Sequence, residues 1–160
     1  MASVMSKYLL IPIGIALFLT PRHKVTYVER EVCVQKMVSE TEFSPNNLIK
    51  KLKRMNIKHY KVAYAQAVLE TGRFTSSMFA RNNNLFGMKV SRQRANTCSG
   101  EVMGHAYYRT WEESVVDYAL YYNKYLSRMS EDELYSYIGR IYAEDSGYVN
   151  KLKQIICEVK

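Results

Sequence analysis

Glu70 is the residue of this chain best placed to do chemistry. It ends an expected helix over residues 58–70, in which Val62, Ala65, Val68 and Leu69 form a buried face, and a polar, Asn-rich stretch follows. Burial beside Val68 and Leu69 would disfavour the carboxylate form. The negative end of the helix dipole falls on the same last turn and acts in the same direction. Both effects favour a protonated acid near neutral pH, the form that donates a proton to a leaving oxygen. Gln66 lies one turn earlier on the same face and can reach either Glu70 or a substrate. Arg73 is the opposing feature, because close approach of its guanidinium would favour the charged carboxylate.

Around this acid the residues fall into an ordered pattern. Ala65-Gln66, Glu70-Thr71-Gly72 and Asn83-Asn84-Leu85-Phe86-Gly87-Met88-Lys89 come first. Tyr108-Arg109-Thr110-Trp111-Glu112-Glu113-Ser114 follows, and Tyr142-Ala143-Glu144-Asp145 with Tyr148 lies near the C-terminus. Over about residues 44–157 this pattern resembles the bacterial and phage glucosaminidase domain, glycoside hydrolase family 73, a group of peptidoglycan hydrolases. The resemblance implies a lysozyme-like fold. It also implies cleavage of the β-1,4 bond between N-acetylglucosamine and N-acetylmuramic acid.

Carried onto this sequence, the resemblance makes Glu70 the general acid and places Tyr142 in the cleft, to bind the acetamido group or position water. Glycoside hydrolysis usually uses a second carboxylate across the scissile bond. Glu101 is the candidate, because it falls in an expected β-lobe opposite Glu70; a solvated hairpin residue is the alternative reading. The substrate's own acetamido oxygen could also attack. Phe86, Tyr108 and Trp111 are candidates for stacking on sugar rings, with a core role equally open for Trp111. Asn84 either binds an acetamido group or shapes the turn. Gly87 either lets backbone approach sugar or relieves a crossing of chain segments. Asp145 is a substrate-binding candidate or a helix cap. A lytic transglycosylase or muramidase on the same fold, and a wall-docking part of a phage or secretion machine, are the rival readings.

Composition narrows the rest. The chain has 160 residues, enough for one domain with a real core. Its net charge of +8 suits acidic wall polymers as partners. No signature of a nucleic-acid fold accompanies that charge, and no nucleic-acid partner is expected. Three cysteines, Cys33, Cys98 and Cys157, and three scattered histidines make neither a CxxC pair nor a zinc spacing. No metal and no organic cofactor are expected.

Three regions follow. Residues 1–24 hold the apolar run 8–19, too short for a comfortable membrane span of about 20 residues but suited to an export signal or a short anchor. That run could contact membrane or protein, and an exported, envelope-associated or phage-borne location is expected. Residues 25–43 read as a linker or short extra element. Residues 44–160 read as the catalytic domain. Ser44-Pro45, Thr110 with Glu113, and Ser130 with Glu133 mark helix starts. Residues 85–90 and 102–108 read as two strands around a polar loop. The expected class is α+β and predominantly helical, with a small β-hairpin lobe facing a helical lobe across a cleft.

Overall fold

The computed structural model describes residues 41–141 and 145–159. They form α1 (Pro45–Arg54), α2 (Tyr60–Glu70), α3 (Ser77–Asn82), β1 (Gly100–Val102), β2 (His105–Tyr107), α4 (Trp111–Tyr125), α5 (Glu131–Ile141) and α6 (Tyr148–Glu158). The class is α+β and predominantly helical, as expected. Among the described residues no helix is long and apolar enough to cross a membrane. The run 8–19 lies outside the described residues.

The helix starts follow local chemistry. Ser44 Oγ accepts from Asn47 N at 3.1 Å ahead of Pro45, and Ser130 and Glu133 exchange bonds as a capping box. Thr110 Oγ1 accepts from Glu113 N, while Glu113 Oε2 takes Arg109 N. α2 is the central helix, with α1 and α6 packed on it. Val62, Ala63, Ala65, Gln66, Ala67 and Val68 are all buried, so nearly every side of α2 is covered. Beyond Glu70 the chain turns through three consecutive left-handed residues, Gly72, Arg73 and Phe74, with φ of 54°, 58° and 67°. Only the first is a glycine, so the turn is strained at the other two. Thr71 Oγ1 holds it by accepting from Phe74 N at 2.9 Å. Phe43 also packs edge-on against Phe74, Phe79 and Trp111 at 4.9–5.6 Å between ring centres.

The β-lobe differs from expectation. Its hairpin pairs Gly100 with Tyr107, Glu101 with Ala106 and Val102 with His105. The turn is Met103-Gly104, both at positive φ, as tight two-residue hairpin turns demand. Residues 85–90 are not a strand. They run beside β2 and are joined to it by Ala106 N donating to Met88 O at 2.9 Å. Methionine is a poor turn signal, so the sequence pattern placed the reversal in the polar residues 91–100 instead.

Those polar residues have another role. Arg94 inserts its guanidinium against Asp117 of α4, forking over both carboxylate oxygens, and Tyr108 donates to Asp117 Oδ2 at 2.5 Å. Arg94 and Asp117 side chains are 5% and 1% exposed, so the pair is desolvated. Burial first, and then Asp117, push the Tyr108 hydroxyl well above the usual phenol range. Breaking such a pair strands a buried charge, which typically costs about 3–5 kcal/mol. Asp117→Ala is therefore expected to lower the urea midpoint sharply. Arg94→Met with Asp117→Leu and Tyr108→Phe, which leaves no buried hydroxyl unpaired, should recover most of the loss. A single variant as stable as the parent would remove this pair from the account of the fold.

Candidate active site

Glu70 is the last residue of α2 and is half-buried. It lines a cleft of about 230 Å³ with Gln66, Phe86, Gly87, Lys89, Tyr118 and Tyr137, and with apolar residues of α4 and α5. Val68 is buried in the core and Leu69 packs partly covered against it, and the cleft around Glu70 mixes apolar and polar side chains. Oε1 accepts a 2.8 Å hydrogen bond from the Tyr148 hydroxyl at the start of α6. Arg73 does not approach it in the way considered above. Its guanidinium sits 3.4 Å from Glu158 on the exposed end of α6.

The loop over residues 84–88 brings backbone to the other carboxylate oxygen. Asn84 is buried and its amide is fully used: Nδ2 donates to Met88 O and Ala106 O, and Oδ1 accepts from Phe86 N and Met88 N. Asn84 thus shapes the turn. The turn places Gly87 at φ 62°, so close to Glu70 that an added Cβ would stand 3.0 Å from Oε2. Phe86 stacks on Tyr118 with 4.1 Å between ring centres, and Tyr118 donates to Gln66 Oε1 at 2.9 Å. Gln66, Phe86 and Gly87 therefore join Glu70 at one place.

The other candidate residues lie elsewhere. Glu101 is exposed on β1 and outside the residues lining this cleft. Tyr108 and Trp111, considered as sugar-stacking rings, are buried at 0% and 4% exposure. Tyr108 is committed to Asp117, and Trp111 donates its indole N–H to Thr41 O at 3.0 Å. Asp145 acts at the start of α6, where Oδ1 accepts from Gly147 N and Oδ2 pairs with Lys151 at 2.7 Å. The Lys151 ammonium holds the Asp145 carboxyl below its usual range, and the Gly147 N–H adds to this. Since Tyr148 N also donates to Asp145 O, Asp145 sets the turn from which Tyr148 reaches Glu70. Tyr142 lies outside the described residues.

Tyr148 is the contact that sequence reasoning passed over, because its helical spacing with Leu152 and Ile155 reads as core. Its place three residues after Asp145, within the C-terminal motif, was the available signal. Tyr118 was hidden in the same way by the stripe of α4. Among the described residues no group of three or more His, Cys, Asp and Glu side chains is gathered to hold a metal ion. Gly87→Ala is expected to fold with a stability loss of about 1 kcal/mol or more, since alanine resists positive φ. It should lose far more activity, because the new methyl displaces the Glu70 carboxylate. Circular dichroism melting beside turnover on purified cell wall checks this; a Gly87→Ala variant with parental turnover would show that the close approach is incidental.

Comparison with known proteins bears on what this arrangement is. The Escherichia coli K12 protein called Protein bax is 36% identical over 67 residues, covering 42% of this chain and 24% of that protein. The matched stretch thus spans about a quarter of that relative's length. A family model described as mannosyl-glycoprotein endo-beta-N-acetylglucosaminidase matches residues 45–160, from the first residue of α1 onward and across the whole cleft. With most of its length and all of this cleft inside that match, the chain belongs to the glucosaminidase family.

Proposed function

We propose that this protein is a peptidoglycan hydrolase that cleaves the β-1,4 bond between N-acetylglucosamine and N-acetylmuramic acid, with Glu70 as general acid. The observation that carries this reading is the setting of Glu70: a carboxylate at a helix end, in a cleft, held on one side by the Tyr148 hydroxyl and with Gly87 close beside its other oxygen. Family membership supports a glycosidase acting on such a glycan. Glu70 gives its proton to the glycosidic oxygen as the bond to the anomeric carbon breaks. Among the described residues that line the cleft, Glu70 is the single carboxylate. That favours attack on the anomeric carbon by the substrate's 2-acetamido oxygen, or by water held there, with Tyr142 as the tyrosine that would orient either group. Glu101 would act only by moving with its hairpin. Gln66 accepts from Tyr118 through Oε1, which leaves its amide nitrogen to donate to the acetamido group. The substrate places the enzyme's work in the cell envelope, which accords with an export or anchoring role for residues 1–24.

Glu70→Gln keeps size and hydrogen bonding but has no proton to give. Its turnover of purified peptidoglycan is expected to fall by about 10²–10⁴-fold, the usual worth of a general acid, with melting unchanged. Mass spectrometry of the products should show reducing-end N-acetylglucosamine from the parent and none from the variant. Anhydro-muramic ends would instead identify a lytic transglycosylase. A folded Glu70→Gln variant of full activity would remove Glu70 from the reaction.

A further inference from the structure

The Glu70 cleft, at about 230 Å³, is small for its proposed task. Pockets that engulf one drug-sized ligand run from about 300 to 1,000 Å³. A polymeric substrate must therefore rest most of its length on neighbouring surface. One such surface adjoins the cleft: a broad groove of about 710 Å³ along the end of α4 and the face of α5, lined by Tyr125, Arg128, Asp132, Tyr137 and Arg140 among others. Tyr137 lines both groove and cleft, so the two adjoin at that side chain. A ladder of rings makes the same connection on α4. Tyr118 lines the cleft, Tyr121 follows at 6.2 Å between ring centres, and Tyr125 in the groove lies 5.2 Å further. The seven-residue rise from Tyr118 to Tyr125 is about 10 Å. The Tyr121 and Tyr137 hydroxyls meet at 3.2 Å and join the two helices.

The charges of the groove say what it would hold. Arg128 and Arg140 are exposed, and neither is in a salt bridge among the described residues. Asp132 and Glu133 are the acids of the groove; Glu133 accepts from Ser130 N and Oγ at 2.7 and 2.9 Å, bonds that hold its carboxyl below the usual range and keep it charged. Lys124, whose ammonium stands 5.0 Å over the Tyr125 ring, adds a cation at the rim. A neutral glycan offers two guanidiniums nothing to bind, whereas a ligand with more carboxylates than amines offers them charge-assisted, bidentate partners.

Resting on the hydrolase reading above, we propose that this groove binds the acidic peptide stems borne by the glycan beside the cut. Guanidiniums of Arg128 and Arg140 take stem carboxylates, Asp132 takes a stem amine, and the tyrosine faces carry the apolar body. The protein is then selective for stem-bearing glycan over bare glycan, and this selectivity is separate from catalysis.

Binding to the inactive Glu70→Gln protein tests this without turnover, with titration calorimetry on two probes: peptidoglycan chains with intact stems, and the same chains stripped of stems by an amidase and then capped as simple amides at the lactyl carboxylates that the stripping frees. The expected result is at least tenfold tighter binding of the stem-bearing chains, a preference lost when Arg128→Ala and Arg140→Ala are added while affinity for bare chains holds. Charge reversal by Arg140→Glu should weaken stem-bearing chains further, and both sites are exposed enough to leave melting unchanged. No preference in the parent, or a preference that survives the double substitution, would overturn the proposal and leave the hydrolase reading intact. Tighter binding of a phosphate-rich wall polymer than of stem-bearing chains would also overturn it, in favour of that ligand. Binding of neither probe would count against the hydrolase reading itself.

Discussion

The site depends on one buried amide. Asn84 spends both donors and its acceptor oxygen on four backbone groups, and these bonds bind the 84–88 loop to itself and to β2. A buried amide is costly unless satisfied, and this one is satisfied only when the loop adopts the conformation that brings Gly87 against Glu70. Asn82 and Asn83 extend the effect, reaching Val102 O, Tyr108 O and Arg109 O. Three consecutive asparagines thus do by side chain what a longer sheet would do by backbone. They allow a hairpin of three-residue strands to be held firmly beside a helical body.

The aromatic residues divide into two populations with different duties. Phe43, Tyr108, Trp111 and Tyr122 close the interior. Their polar atoms, where present, go to partners such as Asp117, Thr41 O and His59 Nδ1. Phe86, Tyr118, Tyr121 and Tyr137 instead border open space along α4 and α5. The division follows helical position. On α4, residues 111, 115, 118 and 122 face inward, and residues 121 and 125 begin the outward face. Tyr118 stands at the boundary and serves both, with its ring on Phe86 and its hydroxyl on Gln66.

Much of the helical body was legible because it is specified locally. Ser44-Pro45, Thr110 with Glu113, and Ser130 with Glu133 announce helix starts through bonds that span three or four residues, and the apolar spacing behind each start names the buried face. Asn82-Asn83-Asn84 announced a turn. The hairpin was misplaced because its reversal uses Met103, a residue whose type carries no preference for positive φ. The site was legible to the extent that Glu70, Gln66, Phe86 and Gly87 lie within one stretch of chain. Tyr148 contacts Glu70 across 78 residues. Asp117 captures Arg94 and Tyr108 from the far side of α4. Contacts of that kind arise from how helices pack and leave no periodic mark, so Tyr108 passed for an open sugar platform and Tyr148 for core.

The left-handed turn after Glu70 bears on where this domain begins. Strain at non-glycine residues of positive φ costs of order 1–3 kcal/mol each and persists only when the surroundings enforce it. Here the enforcement comes in part from Phe43, which braces Phe74, and Thr41, which receives the Trp111 indole and donates its N–H to Glu112 at 3.2 Å. Both precede the stretch 45–160 that the family model matches. The matched stretch and the unit of mechanical integrity therefore have different edges. The residues that gather at the cleft lie within one matched block, while the brace that keeps the end of α2 in shape is supplied by chain that precedes it.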